Sequence, residues 1–128
     1  MTNIARALNA FWNSFGLPAY PEDNVPEYDG DGNKLAPPYI TYTLAQPDWD
    51  TPTSHQARVW YGTESYQAIN AKIDEIAARI PAGCGVRVMT DGGFLWINRA
   101  SPWVQYHPTD DRILKIAYLN MQLNAYTD

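Results

Sequence analysis

The sequence is poor in cysteine, and it contains no long apolar run. Its single cysteine, Cys84, has no second thiol for a disulfide or a CxxC site, which is typical of a protein made in a reducing cytoplasm. No apolar stretch approaches the roughly 20 residues that a helix needs to cross a bilayer. The N-terminus also lacks the basic and apolar segments of a signal peptide. We therefore expect neither membrane insertion nor Sec export.

Basic residues are also few. The chain has 9 Lys and Arg against 14 Asp and Glu, a formal net charge of -5, and no Lys/Arg cluster. Nucleic-acid readers bind phosphates through such clusters, so we expect no specific nucleic-acid binding. The 128 residues are 45% hydrophobic and 18% charged, which predicts one folded domain over residues 1–128.

Motifs for catalysis or for metal binding are lacking. His55 and His107 have no HExxH or Cys/His partners, and no serine lies in a GxSxG motif. Adjacent acids occur on predicted loops or on a helix face, where carboxylates are usually solvated. The sequence thus predicts no catalytic, cofactor or metal site. An enzyme would need a hidden pair of acids, and the adjacent candidates are Glu22/Asp23, Asp74/Glu75 and Asp110/Asp111.

Two segments have the apolar spacing of amphipathic helices. The first spans residues 4–15, before Gly16 and Pro18. The second begins after Ser65, a candidate N-cap, and ends near Ile80. Their apolar stripes are Ile4, Leu8, Phe11, Trp12 and Phe15, and then Tyr66, Ile69, Ile73, Ile76 and Ile80.

The remaining patterned segments alternate in the manner of β-strands. We predict a hairpin of two strands, a second hairpin that turns at residues 91–93, a bent or bulged continuation after Pro102, and a long last strand. Their order predicts an α+β fold in which both helices pack on one face of a mainly antiparallel sheet. The predicted strands are residues 39–44, 54–61, 86–88, 94–98, 103–106 and 112–125, and the apolar face of the last one carries Ile113, Ala117, Leu119, Met121 and Leu123.

An Asp/Gly-rich loop lies between the first helix and the first strand. Asp29 and Asp31 alternate with glycines as in a calcium-binding loop, but Lys34 takes the glycine position and Ile40 the position of the bidentate glutamate. We interpret this segment as a solvated turn, and residues 28–36 as a loop insertion.

Aromatic residues are abundant, at 13% of the chain, with five Trp and nine Tyr. Trp60 lies on the opposite face of its predicted strand from Val59 and Tyr61, whereas Trp49 and Trp103 lie beside prolines in loops. Exposed aromatic residues are common anchors of protein interfaces. Packing in a small aromatic core is the alternative for any one of them, and Trp49 could instead cover the end of the core. Our candidates for an interface are Trp49, Trp60, Trp103, Asp29 and Asp31.

Several segments resemble the tail terminator and minor tail proteins of long-tailed bacteriophages. They are GLPAYPEDNVP at residues 16–26, PYITYTL at 38–44, SYQAINAKID at 65–74, and DGGFLWI with SPW at 91–97 and 101–103. The resemblance spans most of the chain, but these motifs are turns, strands and a helix rather than ligands.

The resemblance implies a small α+β domain without catalytic residues. It further implies a virion protein at the head-proximal end of the tail, assembled in the host cytoplasm. There it would form a ring of copies of itself, a hexamer, that stops growth of the tail tube and then contacts the head-tail connector. The alternatives are a head completion (head-tail connector) protein, another minor tail protein, or a small enzyme. We expect the contacts with the tail on loops and edge strands, which include Trp49, residues 29–33 and Trp103.

Overall fold

The computed structural model describes residues 2–44 and 51–127, which form two helices and six strands. The elements in chain order are α1 (Thr2–Asn13), β1 (Ala19–Pro21), β2 (Tyr39–Tyr42), β3 (Thr53–Tyr61), α2 (Gln67–Arg79), β4 (Val86–Thr90), β5 (Gly93–His107) and β6 (Lys115–Thr127).

The strands form one sheet in the order β1-β2-β3-β6-β5-β4. All neighbours are antiparallel except β1 and β2, which run parallel. The predicted α+β fold with a mainly antiparallel sheet is confirmed. The sheet curls, and α1 contacts both of its edge strands, β1 and β4.

Both helices form where the apolar spacing predicts them, with small shifts at their ends. The first helix was predicted over residues 4–15, but α1 ends at Asn13, and Gly16 follows with a φ of 82°. The four isoleucines of the second stripe are buried, three of them within α2 and Ile80 directly after it, whereas Tyr66 is 44% exposed and precedes the helix. The N-cap of α2 is Tyr66 rather than the predicted Ser65, although the Ser65 hydroxyl accepts a hydrogen bond from the Gln67 N–H.

Three strand predictions need correction. The short strand β1 was not predicted, because three residues are too few to show alternation. The strand predicted over residues 39–44 ends at Tyr42. The last strand begins at Lys115 rather than at residue 112, because residues 111–114 form a turn in which the Asp111 carboxylate accepts the Ile113 N–H. Ile113 is accordingly 50% exposed and does not join the apolar face.

The irregularity predicted at Pro102 is confirmed. β5 continues past this residue, but its register with β6 shifts between Arg99 and Val104. The extra residues of β5 bulge out of the ladder, so β5 pairs with β6 in two separate segments, one before and one after the bulge.

Alternate strand residues face the two helices and form the core. This inner face comprises positions such as Ala57, Val59, Ala117 and Leu119, all closed to solvent. Register places Val59 beside Ala117 and Ala57 beside Leu119, so the apolar positions of neighbouring strands align. The buried stripes of α1 and α2 pack in the same core cluster, as predicted.

Candidate interaction surfaces

The sheet face opposite the helices, which we call the outer face, carries three stacked pairs of aromatic rings. Tyr39 stacks on Trp60 with 5.6 Å between centroids and 21° between planes. His107 stacks on Tyr118 at 5.3 Å and 14°. A third pair lies near the β4–β5 turn, where Phe94 and Tyr126 are 5.0 Å apart. No helix of the described segments packs over these rings, so part of their apolar area stays exposed.

Trp60, an interface candidate from the sequence, lies on this face and is half-buried. Its indole N–H donates to the Thr41 hydroxyl at 3.0 Å. Together with the Tyr39 stack, this bond fixes the position of the indole ring. Burial raises the pKa of the Tyr39 hydroxyl above its ordinary value. The indole is therefore a rigid part of the outer face.

An ion pair lies beside these rings. Arg58 contacts the Glu22 carboxylate at 2.9 Å, and its guanidinium lies 4.6 Å from the centre of the Tyr118 ring. A depression of about 320 Å³ is lined by both charged side chains and by the Tyr39 and Trp60 rings. The depression therefore combines the Arg58–Glu22 ion pair with aromatic rings.

Amide side chains continue the outer face across β3, β6 and β5. Gln56 donates to the Asn120 side-chain oxygen at 3.0 Å, and Asn120 donates to Gln105 at 2.8 Å. Gln122, one step further along β6, is exposed. Such a row of amides can bond to the polar groups of a partner without burying a charge.

Trp103 is placed differently from Trp60. It is half-buried and packs against the core cluster, and the Arg99 guanidinium lies 4.8 Å from the centre of its ring. Arg99 also donates to the carbonyls of Ile80 and Ala77 at 2.6 and 2.8 Å, at the end of α2. Trp103 therefore covers a charged cap of the helix, and only part of its surface is free.

The Asp/Gly-rich loop closes on itself. The Asp29 carboxylate accepts hydrogen bonds from the N–H groups of Asp31 and Asn33 at 2.9 and 3.0 Å. Tyr28 and Lys34 form an isolated bridge at its base. Asp31 is exposed. The remaining candidate, Trp49, lies outside the described residues.

A groove between α1 and the edge strand β4 was not anticipated from the sequence. It encloses about 290 Å³, with an adjoining depression of about 210 Å³. Met89 is 66% exposed beside it, the highest value among the exposed large hydrophobic residues. The apolar lining of the groove includes Ala7, Ala10, Phe11, Val86, Val88 and Met89. The contact between α1 and β4 joins residues that are about 80 positions apart in the sequence. The periodicity of the sequence does not reveal such a contact.

Among the buried polar residues of the described segments, His55 lies on the inner face and is only 2% exposed. The Trp12 indole donates to its Nε2 at 3.0 Å, so the proton lies on Nδ1, 3.3 Å from the Thr43 hydroxyl. Burial lowers the pKa of His55 to about 4, although a hydrogen bond to the Thr43 backbone acts in the opposite direction. The ring is therefore neutral and links α1 to β3. His55 is thus a packing histidine.

Over residues 2–44 and 51–127, no group of three His, Cys, Asp or Glu side chains is placed to hold a metal ion. In the same residues, neither helix is long and apolar enough to span a membrane.

The chain matches no protein-family model, no curated protein and no solved structure. Arguments about its function therefore depend on its own residues and surfaces.

Proposed function

We propose that this chain is a structural virion protein that assembles with copies of itself, caps the tail tube, ends tail elongation and provides the surface for head-tail joining. The observation that carries the proposal is the outer face, with its stacked aromatic pairs and amide row. Rigid, partly exposed rings bury area at low entropic cost when a partner covers them.

The sequence resemblance described above supports the particular role in the tail. The partners proposed are a second copy of the chain in a hexameric ring, the tail-tube protein and the head-tail connector protein. A head completion protein or another minor tail protein would use a similar face, and an assembly role distinguishes all three from an enzyme.

The first test is the assembly state of the protein. Light scattering and negative-stain images of the purified chain, alone and with its tail-tube protein, should show closed rings or capped tubes. A strict monomer at high concentration, with uncapped tubes, would contradict the proposal.

The second test separates the outer face from the rest of the surface with one chemical change at two places. Gln122→Arg adds a long cation to an exposed outer-face position, and Gln67→Arg makes the same change at the start of α2. Both variants should fold, since surface substitutions usually change stability by about 0.5 kcal/mol or less.

In phage that lack the wild-type copy, we expect Gln122→Arg to give tails of uncontrolled length or tails without heads, and Gln67→Arg to give normal particles. Normal particles from both would remove the outer face from the proposed function.

A further inference from the structure

The α1–β4 groove carries unpaired positive charge on its rim. Arg6 and Arg87 are exposed, and the Arg87 guanidinium lies at the β4 edge, 5.3 Å from the centre of the Phe94 ring. Arg79 lies along the groove with its guanidinium 5.3 Å from the centre of the Phe11 ring. None of the three forms an ion pair with another described residue, and Asp91 is the one acid that lines the adjoining depression. In a chain of net charge -5, this rim is a local cationic surface.

Among the described residues, no further strand pairs with β4 on this side. The strand is the last in the sheet, and a two-residue turn joins Thr90 to Gly93 in β5. Residues that flank such a turn form a hydrogen-bonded pair, and the pairing alternates along an antiparallel ladder. The N–H and C=O groups of Arg87 and Met89 therefore point away from β5, toward whatever lies beside the edge.

A surface of complementary chemistry follows the opposite edge strand, β1. We call residues 23–31 the acidic loop, because they hold four carboxylates, Asp23, Glu27, Asp29 and Asp31, and no basic residue. Within it, Val25 is 38% exposed and Tyr28 is 56% exposed. The loop thus combines anions with exposed apolar side chains, as the groove combines cations with an apolar lining.

We propose that the α1–β4 groove receives the acidic loop of a second copy of this chain. The groove and the loop belong to the two opposite edges of one sheet, so the contact joins different surfaces of two identical subunits. Such head-to-tail contacts generate rings when the rotation closes. The inference rests on the proposed self-assembly and names the surfaces through which it occurs.

Charge reversal on each side tests this docking. Glu27→Lys with Asp31→Lys reverses the loop at exposed positions and leaves Asp29, which holds the loop backbone, unchanged. Arg6→Glu with Arg87→Glu reverses the groove. Either reversed protein alone faces like charges across the contact, and its self-association should weaken about tenfold or more at low salt.

Mixing the two reversed proteins restores opposite charges at every contact, because a lysine loop meets a glutamate groove and an acidic loop meets an arginine groove. We expect equimolar mixtures to form rings in light scattering and negative-stain images. The matched control, Asp74→Lys with Asp110→Lys, reverses two exposed acids elsewhere and should assemble as the wild type does. Circular dichroism checks that every variant folds.

The outcomes separate this inference from the proposed function. Rings from each reversed protein alone would overturn the docking while self-assembly stands. Reversed proteins that stay apart when mixed would also overturn it, since the loss would not come from this pair of surfaces. A monomeric wild type, with or without tail-tube protein, would overturn both.

Discussion

On the inner face of the sheet, alternate side chains are apolar and closed to solvent, whereas on the outer face the alternate positions hold rings, amides and an ion pair that stay partly exposed. Trp12 and Trp60 illustrate the difference. Both donate an indole N–H at 3.0 Å. Trp12 is buried and donates to the buried His55, whereas Trp60 is half-buried and donates to the Thr41 hydroxyl. The same residue type thus stabilises the fold on one face and forms part of the proposed interaction surface on the other.

The largest effect is expected where the inner face meets α2. Ile73→Ala should lower the free energy of unfolding by about 2–5 kcal/mol, because it removes buried methyl groups and leaves a cavity. The control is Ile113→Ala in the turn before β6, which should change it by about 0.5 kcal/mol or less. Urea denaturation measures both. A stable Ile73→Ala variant with lost partner binding would instead assign the stripe to an interface.

The second prediction concerns pH and the buried histidine. The pKa of His55 is about 4 in the folded chain against 6.5 for the unfolded group, so the unfolded chain binds more protons between these values. The contribution of His55 to the free energy of unfolding is fully present above pH 6.5. It decreases by about 3 kcal/mol as the pH falls to 4.

His55→Gln provides the control for this pH dependence, because glutamine can accept the Trp12 N–H but does not titrate in this range. Denaturant melts at pH 7 and pH 4 should show a smaller loss in the variant than in the wild type. Equal losses would mean that other groups account for the whole acid sensitivity.

The smallest effect is expected on the outer face. Trp60→Phe removes one hydrogen bond between a half-buried indole and a hydroxyl that can rotate, and it should cost about 1 kcal/mol. The same change at Trp12 leaves the His55 acceptor buried without its donor, so Trp12→Phe should cost about twice as much. Thermal melts of the two variants compare the faces directly. Equal losses of stability would show that the Trp60 hydrogen bond on the outer face stabilises the fold as much as the Trp12 hydrogen bond in the core.

The inner face was largely predictable, because burial imposes a period on the sequence. The isoleucines of α2 and the alternation of Ala57 and Val59 identified their elements without knowledge of the fold. Failures occurred where local bonds override the pattern. Ile113 continues the alternation of β6 by sequence, yet the Asp111 carboxylate draws it into a turn.

The candidate surfaces were less predictable. Strand parity placed Trp60 on the outer face, but its proximity to Tyr39 depends on the register of β2 and β3. Trp103 beside Pro102 looked like a loop residue, and only the chain path through the bulge brings it over Arg99. The groove depends on the curl of the whole sheet, which no local window of sequence contains.

The contact of α1 with both edge strands has a consequence for dynamics. Because one helix touches both β1 and β4, neither edge can move far from its place without loss of contacts to α1. Local opening of α1 should therefore expose both edges together, and amide protons in α1, β1 and β4 should exchange with solvent as one cooperative unit. A neighbour that binds at one edge would then slow exchange at the other.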